Sequence, residues 1–212
     1  MRKKVYSIII FTLVLAFVAI INISNSKKDL PIYSTSAMWL YDTSTPEKAM
    51  GISDYAFVAK INKVLKTEYK NSVMLETSLN GKNKTVYDPY TVYEITVIEN
   101  IKGEIITNKP IELMQYGGLN YDGKSYTLLE NSELLIPGNY YILLSNVWPE
   151  ENILETSEPT RIINLGDNLA ATNSVRNITK YKEAYSTQVI PANYETSNII
   201  SKNDINYIKN DK

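Results

Sequence analysis

The sequence predicts a mostly β protein, a small barrel or sandwich of short antiparallel strands behind an apolar N-terminal helix. Three observations carry this. The run Pro89 to Gly103, P-Y-T-V-Y-E-I-T-V-I-E-N-I-K-G, alternates, with Thr91, Tyr93, Ile95 and Val97 on one side and Val92, Glu94, Thr96 and Ile98 on the other. Side chains alternate across a strand, so the first set suits a core and the second a partly wet surface. Turn signals recur at short spacing through the middle of the chain: Asn80-Gly81, Gly117-Gly118, Asp122-Gly123 and Pro137-Gly138. Such punctuation between β-branched and aromatic runs marks a small all-β domain. The third observation is Val5 to Ile23, an apolar run preceded by Arg2, Lys3 and Lys4.

That run is an address. A membrane-spanning helix needs about 20 mostly apolar residues, and the preceding cations favour a cytoplasmic N-terminus with the remainder exported. The rival is a cleaved signal peptide, whose apolar region is shorter; Ile8 to Ile21 fits it, although no Ala-x-Ala follows. Both readings place the folded part outside the cytoplasm, either on a single-pass anchor in the cell membrane or secreted after cleavage. The expected organisation is an anchor or signal over residues 1–26, a stalk and short helix over 27–52, the β domain over 53–165, and a polar, partly helical tail over 166–212. Within the stalk, Trp39 and Tyr41 suit either the bilayer interface or packing on the domain.

The elements follow in order. Ser44 and Glu47 have capping-box spacing, Pro46 suits a first helical turn and Gly51 a stop. Ser53 to Leu65 is the first strand, with Tyr55, Phe57, Ala59 and Ile61 inward and Lys60 and Asn62 outward. Asn80-Gly81 predicts a tight hairpin flanked by Val73–Thr77 and Lys84–Tyr87, a short arm inserted before the central strand. In the central run Pro89 blocks ladder bonding at the start and Gly103 turns the chain at the end. Pro110 to Tyr116 is a strand closed by Gly117-Gly118, and Tyr126 to Leu129 is a short extended piece. Glu133 to Ile136 turns through Pro137-Gly138 into a buried strand, Tyr140 to Leu144. Thr160 to Leu165 is the closing strand. In the tail, Val175, Ile178, Tyr181 and Tyr185 have helical spacing, and a second helix is predicted near Ser201, with Ile205 and Ile208 inward.

Four stretches together, D-Y-A-F-V-A-K-I-N-K-V, Y-T-V-Y-E-I-T-V-I-E-N-I-K-G-E, I-E-L-M-Q-Y-G-G and L-I-P-G-N-Y-Y-I-L-L, resemble the netrin-like or tissue-inhibitor-of-metalloproteinase-like domain of bacterial exported proteins. The resemblance covers about Ser53 to Leu165 and rests on strand texture. It implies an antiparallel OB-like β-barrel with one or two short helices at its edges and C-terminus. The animal inhibitors that this domain resembles engage a protease zinc through an N-terminal cysteine. This chain has no cysteine, so that mechanism does not carry over.

Composition narrows the chemistry. Among the 212 residues there is no cysteine and no histidine. This removes disulfides, thiol nucleophiles, the commonest general base and the commonest transition-metal ligand. A formal net charge of −1 gives no basic imbalance of the kind nucleic acid requires. No metal or cofactor is expected. Glu150-Glu151 and Glu155-x-x-Glu158 form an acidic patch with the texture of a solvated loop. Ser125 beside Lys124, and Ser53 before Lys60, are the formal Ser–Lys pairs, without the S-x-x-K pattern. What remains is tyrosine, 17 against three phenylalanines. Tyr116, Gly117, Gly118, Tyr121 and Tyr126 gather in one loop region, and tyrosine makes a rigid contact that is half apolar and half hydrogen-bonding. This is the candidate binding site; its competing explanation is that the rings cover the core. The expected function is a membrane-anchored extracytoplasmic binding module without catalytic residues, facing a protein or envelope polymer. An exported inhibitor or immunity-like protein acting by occlusion, and a small Ser–Lys hydrolase, are the alternatives.

Overall fold

A computed structural model describes residues 30–76, 83–148 and 151–194. The apolar N-terminal run, the Asn80-Gly81 turn, Glu150 and the helix expected near Ser201 lie outside the described residues. Among the described residues no helix is long and apolar enough to cross a membrane.

The body is mostly β with two helices. Among the described residues nine strands form: β1 (Ile32–Thr35), β2 (Tyr55–Glu76), β3 (Asn83–Lys102), β4 (Pro110–Tyr116), β5 (Gly118–Leu119), β6 (Tyr126–Leu129), β7 (Tyr140–Trp148), β8 (Ile153–Glu155) and β9 (Ile162–Gly166). The helices are α1 (Pro46–Gly51) and α2 (Thr172–Ser186). In the larger sheet β2 pairs with β3, β3 with β4, β4 with β8, β8 with β7, and β7 again with β2, giving a ring through five strands with β9 added to β7. All of its pairings are antiparallel except β4–β8, where Leu113 faces Leu154. A separate small sheet runs β1-β6-β5.

The alternation of β3 places Thr91, Tyr93, Ile95 and Val97 inside, as expected, with Tyr55, Phe57, Ala59 and Ile61 of β2 beside them. Val92 departs from the expected pattern. It is fully buried on the other face, beneath Tyr90, Met114 and Ile153, because β8 and the end of β7 roof over that part of the sheet. Tyr93 and Gln115 satisfy each other's polar groups within the core. Tyr93 Oη donates to Gln115 Oε1 at 3.1 Å and accepts from the Leu135 amide at 3.1 Å, while Gln115 Nε2 donates to the Glu133 carbonyl at 2.8 Å. These bonds hold Glu133 to Ile136 across one end of the ring without strand pairing.

Several elements differ from expectation. The hairpin is not an inserted arm: β2 and β3 run unbroken from the ring into it, and Pro89 sits within β3 opposite Tyr69. Proline is tolerated there because the position needs only its carbonyl, which accepts from the Gly117 amide at 2.8 Å. A bulge between Lys70 and Val73, with Asn71 at φ 50°, separates the covered part of the ribbon from its exposed end. Ring closure comes from β8, a strand with no alternating signal in its acidic setting, whereas β9 only extends the sheet beyond β7. The stretch expected to be a stalk supplies β1, parallel to β6, ahead of α1, the short helix that was expected.

The α1 cap is Thr45, whose Oγ1 accepts from the Lys48 amide at 3.4 Å, one residue later than the expected Ser44. Gly51 belongs to the helix; its role is close approach, since a β-carbon there would lie 1.9 Å from the Val189 carbonyl oxygen. Helix α2 buries Ser174, Tyr181 and Ala184 with Ile178 half-buried, while Val175 and Tyr185 face solvent. The buried stripe is shifted from the one expected: Tyr181 and Ile178 pack into the cluster that holds Ala49 and Met50, while Ser174 Oγ donates to the Leu165 carbonyl at 2.9 Å.

Candidate functional site

The five residues singled out from sequence are held by β4, β5 and β6. Gly117 and Gly118 (φ 106° and 153°) carry the chain out of β4, and a β-carbon on Gly118 would lie 2.6 Å from Thr91 Oγ1. Only glycine lets this backbone reach the ribbon that closely. Beyond them Asn120 organises the turn: its Nδ2 donates to Ser125 Oγ, and its Oδ1 accepts from Thr127 Oγ1, each at 2.8 Å.

The structure divides the tyrosines that sequence grouped together. Tyr121, 69% exposed, stands against Tyr69 and Tyr87 with ring centres 5.2 and 5.0 Å away. Tyr116 instead meets Tyr90 edge-on at 5.2 Å, and Tyr90 meets Trp148 at 5.6 Å. Tyr126 lies in β6 with Leu119 and Ile32 as its backbone neighbours. Thus Tyr116 and Tyr121 belong to two aromatic groups on the ribbon, and Tyr69, Tyr87, Tyr90 and Trp148 were missed from sequence. The alternation of the ribbon could have found the first pair. Tyr69 faces Pro89, which makes Tyr87 its diagonal neighbour.

The inner group is closed by a lysine. Lys70 Nζ lies 5.2 Å from the Trp148 ring centre and 5.9 Å from that of Tyr90, and it pairs with Glu68 at 3.1 Å and with Glu151. Burial strips water from this ammonium, but the hydrogen bonds to Glu151 and Glu68 prevail and raise its pKa. Burial pushes the Tyr90 hydroxyl up to about 12, with Glu155 and Asp88 adding to the shift. This group is packed and charge-matched, so it supports the ribbon; the Tyr121 group is the one presented to solvent.

A cleft of about 450 Å³ opens elsewhere, lined by Trp39, Tyr41, Thr43, Glu130, Glu158 and Thr160 among others. Behind it the part of the acidic patch around Glu155 and Glu158, expected to be solvated, is folded inward, whereas Glu151 stays exposed. Glu158 is 4% exposed and accepts from Thr43 Oγ1 and, at 2.9 Å, from Thr160 Oγ1. Glu155 accepts from Ser157 Oγ. Arg161, 8% exposed, donates from Nη2 to Asn146 Oδ1, and its Nε has no hydrogen-bond partner. Asp54 accepts from the Val147 amide at 3.1 Å and Asn146 Nδ2 at 3.3 Å. Burial lowers the Arg161 pKa, against the opposing fields of Glu155 and Glu158. Tyr41, one of the two aromatics left open between membrane and domain, packs edge-on against Tyr194 at 5.4 Å, whereas Trp39 stays 45% exposed.

Burial raises the Glu155 carboxyl above its ordinary value, with Ser157 and Arg161 opposing the shift. The native state therefore holds a proton that the unfolded chain releases at about pH 4.3. Stability from this group is present below that pH and is lost as pH rises through the raised native pKa. Thermal unfolding of Glu155→Gln is expected to lack this decline, and an unchanged pH profile would refute the assignment.

The remaining chemistry is quickly placed. Ser125 is buried in the Asn120 network, and Lys124 is exposed, its amide donating to Asp122 at 3.0 Å. Ser53 Oγ donates to the Ala49 carbonyl at 2.7 Å, and Lys60 Nζ lies over the Tyr140 ring at 5.6 Å. Among the described residues no group of three or more Asp or Glu is placed to hold a metal ion. Comparison with known proteins finds no family model and no curated protein that matches the chain.

Proposed function

We propose that this chain is a binding module without catalytic chemistry, held on the outer side of a cell membrane by its N-terminal apolar run. In this reading the five-strand ring is an OB-like barrel of the netrin-like kind, and its ligand is a protein or an envelope polymer. The observation that carries it is the Tyr69–Tyr87–Tyr121 group. Two rings of the long ribbon, Tyr69 and Tyr87, 6.3 Å apart, hold the exposed Tyr121 at 5.2 and 5.0 Å. A contact residue ordered before binding loses little entropy when a partner arrives. Occlusion of a partner's active site is the second reading. It is favoured by the apolar end of the ribbon, where Val73, Met74 and Leu75 are 53%, 64% and 46% exposed.

The test is recovery of a cross-linked partner from cells with the full chain as bait. Tyr121→Ser is expected to weaken capture about tenfold, the size of a modest hot spot, with the melting temperature unchanged. Equal capture by Tyr121→Ser and loss only in Met74→Ser would replace the first reading by the second.

A further inference from the structure

The stretch from Ile32 to Leu40 exposes more large apolar surface than any comparable run of the described chain. Met38 is 98% exposed, Leu40 85%, Ile32 64%, Tyr33 61% and Trp39 45%. Isolated exposed apolar side chains are ordinary. Three in a row at Met38–Trp39–Leu40 are not, because consecutive exposed apolar residues survive only where something covers them.

We infer that Met38, Trp39 and Leu40 rest in the lipid–water interface of the membrane and hold the domain against it. The inference depends on the tether proposed above. Nine residue steps separate Ile23, the end of the apolar run, from Ile32, and an extended chain covers at most about 30 Å in that length. A domain on so short a lead keeps this stretch within reach of the bilayer that holds the run. The ribbon end, also apolar, has no such covalent constraint. The side chains suit the boundary: tryptophan is enriched at the headgroup level, and methionine and leucine gain from the acyl region below it. Asp42, Glu130 and Glu158 line the same cleft as Trp39, so the contact is apolar and does not draw on anionic headgroups.

The chain has only two tryptophans, Trp39 and Trp148, which makes the contact measurable. The full-length protein is reconstituted in phosphatidylcholine vesicles with and without brominated acyl chains. Trp39 emission is obtained from Trp148→Phe and, independently, by subtracting Trp39→Phe from the unaltered protein. The expected result is a loss of at least half of the Trp39 emission to bromine, little quenching by aqueous acrylamide, and no change in high salt. Met38→Ser/Leu40→Ser should reverse both while the protein still floats with the vesicles. Flotation with Trp39 open to acrylamide and untouched by bromine would overturn the contact and leave the tether standing. Protection from both quenchers would also overturn it, in favour of a protein partner. Failure to float would overturn tether and contact together.

Discussion

Gly51→Ala is expected to release the segment from Thr187 to Tyr194 from the body. A β-carbon at this position would lie 1.9 Å from the Val189 carbonyl oxygen and 2.5 Å from its carbon, and backbone cannot swing aside as a side chain can. The segment is held by the Val189 amide, which donates to the Glu47 carbonyl at 3.0 Å, and by Lys102 Nζ, which donates to Gln188 Oε1 at 2.8 Å; these two bonds flank the Gly51 contact. Further along, Tyr41 Oη donates to the Asn193 carbonyl at 3.1 Å, Asn146 Nδ2 to Tyr194 Oη at 3.0 Å and Tyr194 Oη to the Ile52 carbonyl at 2.6 Å. Overpacking of this kind costs about 1–3 kcal/mol. The sign of the effect is decisive, because alanine in a free helix is favoured over glycine by about 1 kcal/mol. Loss of hydrogen-exchange protection at the Val189 amide, with Tyr194 more accessible, is the expected signature. Higher stability with Val189 still protected would show that the segment does not lie on α1.

Arg161→Met is expected to give the larger loss. Arg161 lies among Glu155, Glu158 and Asp54, all three of which act on its charge, and its guanidinium holds Asn146. Removing the cation leaves buried carboxylates without compensation, which typically costs about 3–5 kcal/mol. For a body of this size that is a fall of roughly 6–20 °C in melting temperature. Adding Glu158→Gln should restore part of it, since one of the stranded carboxylates goes with it. A single variant that melts within a degree or two of the parent would show that Arg161 is dispensable to the acidic cluster.

The strongly periodic strands were legible in the sequence. In β2 and β3 the hydrophobic alternation is long enough that burial on one face has a single solution, and Pro110–Tyr116 is bounded by its own punctuation. What escaped was set by tertiary context. Strand β8 is three residues long in an acidic stretch, and its pairing with β4 depends on Leu154 meeting a residue 41 positions earlier. Strand β1 is exposed on all but one residue and carries no core pattern. The inward turn of Glu155 and Glu158 is made by hydroxyls of Thr43, Thr160 and Ser157, which no local signal announces. The candidate site was only partly legible: Tyr121 was among the residues singled out and is 69% exposed, but its two ring neighbours lie on the ribbon, reached only through the register of a long hairpin.

The parallel pairing of β4 with β8 also fixes an order of events. Until residues 153–155 have been made and brought alongside, β4 keeps one bare edge, and the roof over Val92 and Met114 is missing. A nascent chain cut short before Ile153 would display that edge as a template for other chains. Closure over such a sequence separation is slow relative to hairpin formation. Pairing of β2 with β3 should therefore precede closure of the ring by β8.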